Sequence, residues 1–137
     1  MEDSDSPTKS RKITNRTLGR SFICAFRGLA FAFRTQRNFR LHIIAMVVAI
    51  ALGLFVGLSI MEWGLIIFAI GFVLSAELFN TAVERLGDHI AEGNWNQTVK
   101  HLKDIAAAAV LISAIMALAV GIIVIFIPLA DKLIGLS

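Results

Sequence analysis

The sequence predicts an all-α integral membrane protein: an amphipathic helix followed by three transmembrane helices. Three observations predict it. The chain is 57% hydrophobic, above the roughly 45–50% of a soluble domain. Its apolar residues fall in three runs, each long enough to cross a bilayer. Nine of its 13 Lys and Arg residues precede residue 41, so basic charge gathers ahead of the first run.

Residues 1–14 are charged and poor in apolar side chains, which reads as a disordered N-terminal tail. Their polarity argues against a cleaved signal peptide, leaving the first span to act as the targeting signal. The basic segment abuts a hydrophobic run, so attraction to an anionic lipid surface explains it better than a nucleic-acid arm.

Residues 15–35 are expected to form an interfacial helix. Leu18, Phe22, Phe26, Leu29 and Phe33 cover an arc of about 80° at helical spacing. Arg16, Arg20, Arg27 and Arg34 span about 40° on the opposite side. Aromatics on one face and arginines on the other suit a helix lying in the membrane surface.

A polar junction, 36–40, leads to a first span at about 41–58, where Gly53 and Gly57 form a small-xxx-small pair. Residues 59–62 are read as a tight turn, with Trp63 as an interfacial anchor. The second span is expected at about 63–86 and a polar loop at 87–102. The third span, about 103–127, is rich in alanine and is expected to end at Pro128. Residues 130–137 remain as a C-terminal tail, and 15–129 form a single domain. Small-residue faces on the first and third spans point to an oligomer. The distribution of Lys and Arg places the N-terminus and the 87–102 loop in the cytoplasm and the C-terminus outside.

The second span is apolar in its first half only. Glu77, Asn80, Glu84 and Asp88 then recur within an arc of about 80°. Glu77 lies about 16 Å along the helix from Asp88. A carboxylate near mid-bilayer is unfavourable by on the order of 2.5–3.5 kcal/mol. A metal ion, a basic partner or uptake of a proton would compensate. A helix–helix hydrogen bond would be the purely structural alternative. At the start of the third span stand Lys100, Lys103 and Asp104, where Lys103 could meet phosphate charge or simply snorkel. His42, His89 and His101 show no metal-binding spacing and read as surface or interfacial residues. The single Cys24 excludes an intrachain disulfide and a cysteine metal site. Neither a P-loop nor a dinucleotide-binding glycine motif is present.

The segments Ala76-Glu77-Leu78-Phe79-Asn80-Thr81-Ala82-Val83-Glu84 and Lys103-Asp104-Ile105-Ala106-Ala107-Ala108-Ala109-Val110-Leu111 resemble the bacterial diacylglycerol kinase and undecaprenol kinase family. The resemblance extends to Phe26-Arg27-Gly28-Leu29 and Arg37-Asn38-Phe39-Arg40-Leu41-His42, and covers about residues 20–129. It implies a homotrimeric lipid kinase of the bacterial cytoplasmic membrane, moving the γ-phosphoryl of ATP, with Mg²⁺, to a lipid hydroxyl. By that resemblance Glu77 is the catalytic base and Glu84 a metal ligand. Lys103, Asp104, Asn80 and Asp88 serve the nucleotide. Where many members carry a second metal-binding glutamate this chain has Gln36, which offers an oxygen but no charge. The Arg-Asn-x-Arg-x-His stretch resembles the undecaprenol branch more than the diacylglycerol one. The readings set against a kinase are a non-enzymatic or degenerate-kinase oligomer and, less well supported by the residues, an ion-coupled transporter.

Overall fold

The structure, a computed structural model, describes residues 18–135. The tail expected at 1–14, the first residues of the interfacial helix with Arg16, and residues 136–137 lie outside that range. Every regular element among the described residues is helical.

Helix α1, Leu18–Thr35, lies at one end of the bundle. The protein leaves its aromatic face uncovered: Leu18 is 81%, Phe22 65% and Phe26 68% exposed. An uncovered apolar face beside an arginine face fits a helix resting on lipid. A third face, invisible in the aromatic and arginine pattern, holds α1 to the protein. Ala25, Gly28 and Ala32 border the contact with Leu78, Thr81 and Ala82 of the second span. The Arg85 guanidinium covers the Phe31 ring at 5.1 Å, a cation–π contact.

One residue is enough to separate α1 from α2, Arg37–Val56. Gln36 takes an extended conformation (φ −104°, ψ 119°). Arg40 Nη1 then donates to the carbonyls of Phe33 and Arg34, at 3.2 Å each, satisfying orphan acceptors at the end of α1. The polar junction expected over 36–40 is therefore mostly the first turn of α2.

Helix α2 ends at Gly57, whose left-handed conformation (φ 87°) lets its N–H donate to Gly53 O at 3.0 Å. The helix α3, Ile60–Ala91, starts from a capping box. Ser59 N donates to Glu62 Oε2 at 2.7 Å, and Glu62 N to Ser59 Oγ at 3.4 Å. Ile60, Met61 and Glu62 thus belong to the helix, and the turn is 57–59 instead of 59–62. Trp63, half-buried in the first turn of α3, packs against the core at this end. A Cβ on Gly53 would stand 3.0 Å from its Cη2, so the glycine makes room for the indole.

The α3–α4 turn is also shorter than expected. Glu92 (φ 47°) and Gly93 (φ 80°) reverse the chain. The Asn96 side chain accepts from Val99 N at 3.1 Å, so α4, Gln97–Gly121, begins at once. Residues 87–91 and 97–102, expected as loop, are helical.

Pro128 does not end the third span. A π-helical segment, Ile122–Phe126, precedes α5, Ile127–Ile134, and the whole runs as one apolar rod from Gln97 to Ile134. Proline lacks an N–H and its ring clashes with the carbonyl four residues back. The wider π turn, with Ile127 N–H bonded to Ile122 O, relieves that clash without breaking the rod. The expected tail from 130 onward is helical to Ile134.

Three helices, Arg37–Val56, Ile60–Ala91 and Gln97–Ile134, are long and apolar enough to cross a membrane, and we read the protein as a membrane protein. Its core lies at the end far from α1. Ile66, Val124 and Ile125 are buried there against Leu52, Val56, Trp63 and Ile70. Helices α3 and α4 pack along most of their length, whereas α2 approaches the third span chiefly at the π segment. The bundle closes at the far end and gapes toward α1. Since about 20 residues cross the apolar layer, the 32 residues of α3 carry its last turns out of it at the α1 end.

Candidate functional site

The stripe read from the sequence is real, and it changes character along α3. Glu77 is 2%, Asn80 6% and Thr81 6% exposed. Glu84 is half-buried and Asp88 exposed. Asn80 Nδ2 donates to Glu84 Oε1 at 3.1 Å, tying the two along one helix face. Thr81 Oγ1 bonds back to Glu77 O at 2.9 Å.

Two acceptors in this patch have no partner among the described residues: Glu77 Oε2 and Asn80 Oδ1. Leaving one buried polar group unsatisfied is unfavourable by about 1–3 kcal/mol, more for a charged one. Two such acceptors lie on adjacent turns of one face of α3.

His42 borders this region. It is half-buried on α2 and lines the open part of the bundle together with Val73 and Leu74, one turn of α3 from Glu77. Its placement follows from the register of α2. His42, Ala45, Ala49, Leu52 and Val56 repeat at spacings of three and four. Ala49, Leu52 and Val56 pack on the core, while His42 and Ala45 continue that face into the open part of the bundle.

Four charged side chains meet where α3 and α4 leave the apolar layer. Lys103 Nζ is hydrogen-bonded to Asp88 Oδ1 across the two helices. Lys100 Nζ reaches Asp104 Oδ2 at 2.5 Å along α4. These pairs line a cleft of about 480 Å³ floored by Ala91 and Val99 and rimmed by Trp95 and Asn96. Gly87 makes the crossing possible. A Cβ there would lie 2.9 Å from Val99 Cγ1 and 3.2 Å from Lys103 Cε. Sequence reading passed over Gly87 as part of a loop.

The structure therefore gathers Glu77, Asn80 and Glu84 into one patch, and Asp88, Lys103 and Asp104 into the cleft further along the same helix pair. Gln36 stands apart. Its side chain makes no capping bond at the start of α2, and no hydrogen bond joins it to Glu84 among the described residues. Among the described residues no three His, Cys, Asp or Glu side chains converge on a point that could hold a metal ion by themselves. The available donors are hard oxygens: the Glu84 carboxylate with the orphaned oxygens of Asn80 and Glu77. Such a set fits Mg²⁺, which is commonly held through one or two carboxylates with phosphate oxygens completing the shell.

Fold and site define a small membrane protein with three spans, an acidic patch in the helix bundle and a charged cleft beside it. Comparison with known proteins places it further. The sequence profile of the prokaryotic diacylglycerol kinases matches residues 23–125. The chain is 39% identical over 109 residues to the undecaprenol kinase of Bacillus subtilis (strain 168), covering 80% of this chain and 87% of that one. It is 37% identical over 101 residues to the diacylglycerol kinase of a Synechocystis species, covering 74% of this chain and 58% of that protein. The chain belongs to the prokaryotic diacylglycerol kinase family, and it is a membrane lipid kinase.

Proposed function

We propose that the protein transfers the γ-phosphoryl group of MgATP to the hydroxyl of undecaprenol, in preference to diacylglycerol. The observation that carries the kinase chemistry is the buried Glu77 carboxylate with an unpartnered oxygen. It lies about 16 Å along α3 from the charged cleft at Asp88. The undecaprenol preference rests on the similarity to the Bacillus subtilis enzyme and on the Arg37-Asn38-Phe39-Arg40-Leu41-His42 stretch.

The roles follow from chemistry. Phosphoryl transfer needs in-line positioning and charge neutralisation more than covalent help. ATP enters from the cytoplasm at the cleft. Lys103 exchanges Asp88 for phosphate oxygens, and Asp104 and Asp88 orient the rest of the nucleotide. Asn80 holds Glu84 in place through its side-chain N–H. Glu84 is the carboxylate that holds Mg²⁺, with Gln36 as a neutral oxygen donor. The ion, when bound, offsets the charge on the phosphates. The lipid hydroxyl comes laterally from the bilayer. Glu77 accepts its proton as the lipid oxygen bonds to the γ-phosphorus and the bond to the bridging oxygen of ADP breaks.

The protein acts as a homotrimer in the bacterial cytoplasmic membrane, with its N-terminus in the cytoplasm and its C-terminus outside. The uncovered apolar faces of α2 and α4 and the basic bias toward the α1 end support this. Gln36, lacking the charge of a glutamate, supports a second reading, a degenerate kinase retained for its packing.

The deciding experiment offers undecaprenol and diacylglycerol in parallel, in mixed micelles with labelled MgATP, to wild type, Glu77→Gln and Gln36→Glu. Lipid phosphate formed by wild type and absent in Glu77→Gln supports the kinase, and the better acceptor names its branch. Activity only in Gln36→Glu supports the degenerate reading. Silence in all three, with the folded oligomer verified, overturns both assignments of substrate.

A further inference from the structure

Helix α1 is lightly held. Ala32 is the one buried residue among its described residues. Its seam with α3 is partly open: a crevice of about 540 Å³ separates Ala25, Gly28 and Ala32 from Leu78, Thr81 and Ala82. A Cβ on Gly28 would meet nothing within 4 Å, so the two helices do not touch there. Where α1 ends, a single extended residue, Gln36, joins it to α2. A helix on a one-residue elbow, with a gap beside it, needs a further contact to fix its place.

Two residues that depart from the pattern of their own helices supply that contact. Leu18, Phe22, Phe26, Leu29 and Phe33 form the uncovered face of α1, whereas Phe31 lies about 180° from the centre of that arc at ~100° per residue. Arg85 is the one Lys or Arg in α3. It forms no ion pair among the described residues. Its guanidinium instead covers the Phe31 ring, 5.1 Å from the centroid, and lines the same crevice. A cation is drawn to the face of an aromatic ring. An arginine that only snorkels to the headgroups needs no aromatic partner on another helix. The place of the contact matters as well. Arg85 directly follows Glu84 in the chain. Phe31 precedes the Gln36 elbow by about 7.5 Å of helix.

We infer that Arg85 is a positioning residue: through Phe31 it latches α1 to α3, and so fixes the Gln36 elbow relative to Glu84. The inference rests on the lipid kinase reading for what Gln36 and Glu84 do, a shared hold on Mg²⁺, and adds what sets their relation. The sign of the effect separates a latch from plain electrostatics. Arg85 is a cation next to Glu84, so by charge alone its removal would strengthen the hold on Mg²⁺. A latch predicts the opposite, because an unseated elbow withdraws an oxygen donor. Phe31 carries no charge, yet the latch gives its removal the same effect.

The latch is read directly by crosslinking in lipid nanodiscs, without nucleotide or metal. Cys24→Ser removes the one native cysteine, and Ala25→Cys with Ala82→Cys puts a thiol on each wall of the crevice. A short bis-maleimide then joins α1 to α3 within one chain, seen as a species of monomer mass. On that background Arg85→Met and Phe31→Leu are each expected to slow crosslinking about fivefold, the scale of one cation–π contact. Phe31→Tyr, which keeps the ring, is expected to match the parent. An unchanged rate in either Arg85→Met or Phe31→Leu overturns the latch, since the contact needs both partners.

The consequence is read in the kinase assay. The Mg²⁺ concentration for half-maximal activity is expected to rise severalfold in Arg85→Met and in Phe31→Leu. It is expected to return toward the parent value once Arg85→Met is crosslinked across the crevice. A fall in Arg85→Met with no change in Phe31→Leu assigns Arg85 to electrostatics and overturns the proposal. So does an unmoved Mg²⁺ dependence beside slowed crosslinking, which leaves a docking contact without a positioning role. The two readings fail separately. Slowed crosslinking in a protein that phosphorylates no lipid keeps the latch and removes the kinase assignment. Lipid phosphorylation with crosslinking unmoved does the reverse.

Discussion

The aliphatic stem of Lys103 lies over the missing side chain of Gly87: a Cβ at that position would stand 3.2 Å from Lys103 Cε and 2.9 Å from Val99 Cγ1. This close crossing of α3 and α4 lets the Lys103 ammonium reach Asp88 on the neighbouring helix. Gly87→Ala gains about 1 kcal/mol of helix propensity and incurs about 1–3 kcal/mol of overpacking against Val99. The net is a loss of about 0–2 kcal/mol, so thermal stability is expected to fall modestly at most. The ammonium is displaced, however, and KM for ATP is expected to rise severalfold. Thermal unfolding in detergent and ATP titration of the initial rate, run on the same preparation, check both halves. A large loss of stability with unchanged KM would assign Gly87 to packing alone.

The Lys103–Asp88 pair is itself a weak source of stability. Its side chains are 34% and 63% exposed, and exposed pairs contribute about 0–1 kcal/mol. Lys103→Met keeps most of the stem and removes the charge. It is expected to leave the unfolding temperature within a few degrees of wild type while reducing kcat/KM for ATP by more than about tenfold, as for a lost charged contact in the transition state. Asp88→Asn is expected to have a smaller effect in the same assay, because it frees the lysine for phosphate while removing one contact to the nucleotide.

Glu77 separates activity from stability most clearly. Its carboxylate is buried with one unpartnered oxygen, an arrangement that destabilises the fold. Glu77→Gln keeps the shape and removes the charge. The expected outcome is an equal or higher unfolding temperature together with a loss of about 10²–10⁴ in kcat, the range for a general base. A variant both less stable and less active would point instead to a carboxylate held for packing.

How much of this was legible beforehand depends on which interactions are local. The stripe of Glu77, Asn80, Glu84 and Asp88 follows from helical spacing alone, and the structure keeps it on one face. The three spans follow from the length of the apolar runs. Helix ends were misjudged where tertiary or side-chain contacts set them: Arg40 capping α1, the Ser59–Glu62 box, and the π turn that carries the chain past Pro128. His42 was missed because a lone histidine carries no spacing signal. Only the register of α2's buried face, from Val56 back through Ala49 and Ala45, puts it on the wall of the open part of the bundle with Val73 and Leu74. Gly87 was missed because its role depends on how close a second helix passes.

Gln36→Glu tests the departure from the family pattern. The side chain sits at the α1–α2 break, where Gln36 forms no capping bond. A glutamate there places a negative charge at the N-terminus of α2, worth roughly 0.3–1 kcal/mol through the helix dipole. It also adds a charged oxygen donor for a divalent cation. Stability is expected to rise slightly. The Mg²⁺ concentration for half-maximal activity is expected to fall severalfold if Gln36 and Glu84 share the ion. A Mg²⁺ dependence that does not move, alongside the small gain in stability, would place position 36 outside the metal shell.

The far end of the bundle should tolerate change without loss of chemistry. Lys132 Nζ donates to Phe55 O at 3.0 Å and sits 5.0 Å from the Phe55 ring centre, covering a carbonyl left open at the end of α2. Ser59 caps α3 from the same end. Ser59→Ala is expected to destabilise by about 1 kcal/mol, as for other N-cap removals. Lys132→Met is expected to remove a similar amount through the lost hydrogen bond to the carbonyl. Neither contact lies near Glu77 or the Asp88–Lys103 cleft, so initial rates at saturating substrate should match wild type below the unfolding temperature. The double variant should show the sum of the two losses only if the contacts are independent. A loss larger than the sum would mean that α2, α3 and α5 close the far end as one cooperative unit, and that the gape toward α1 depends on it.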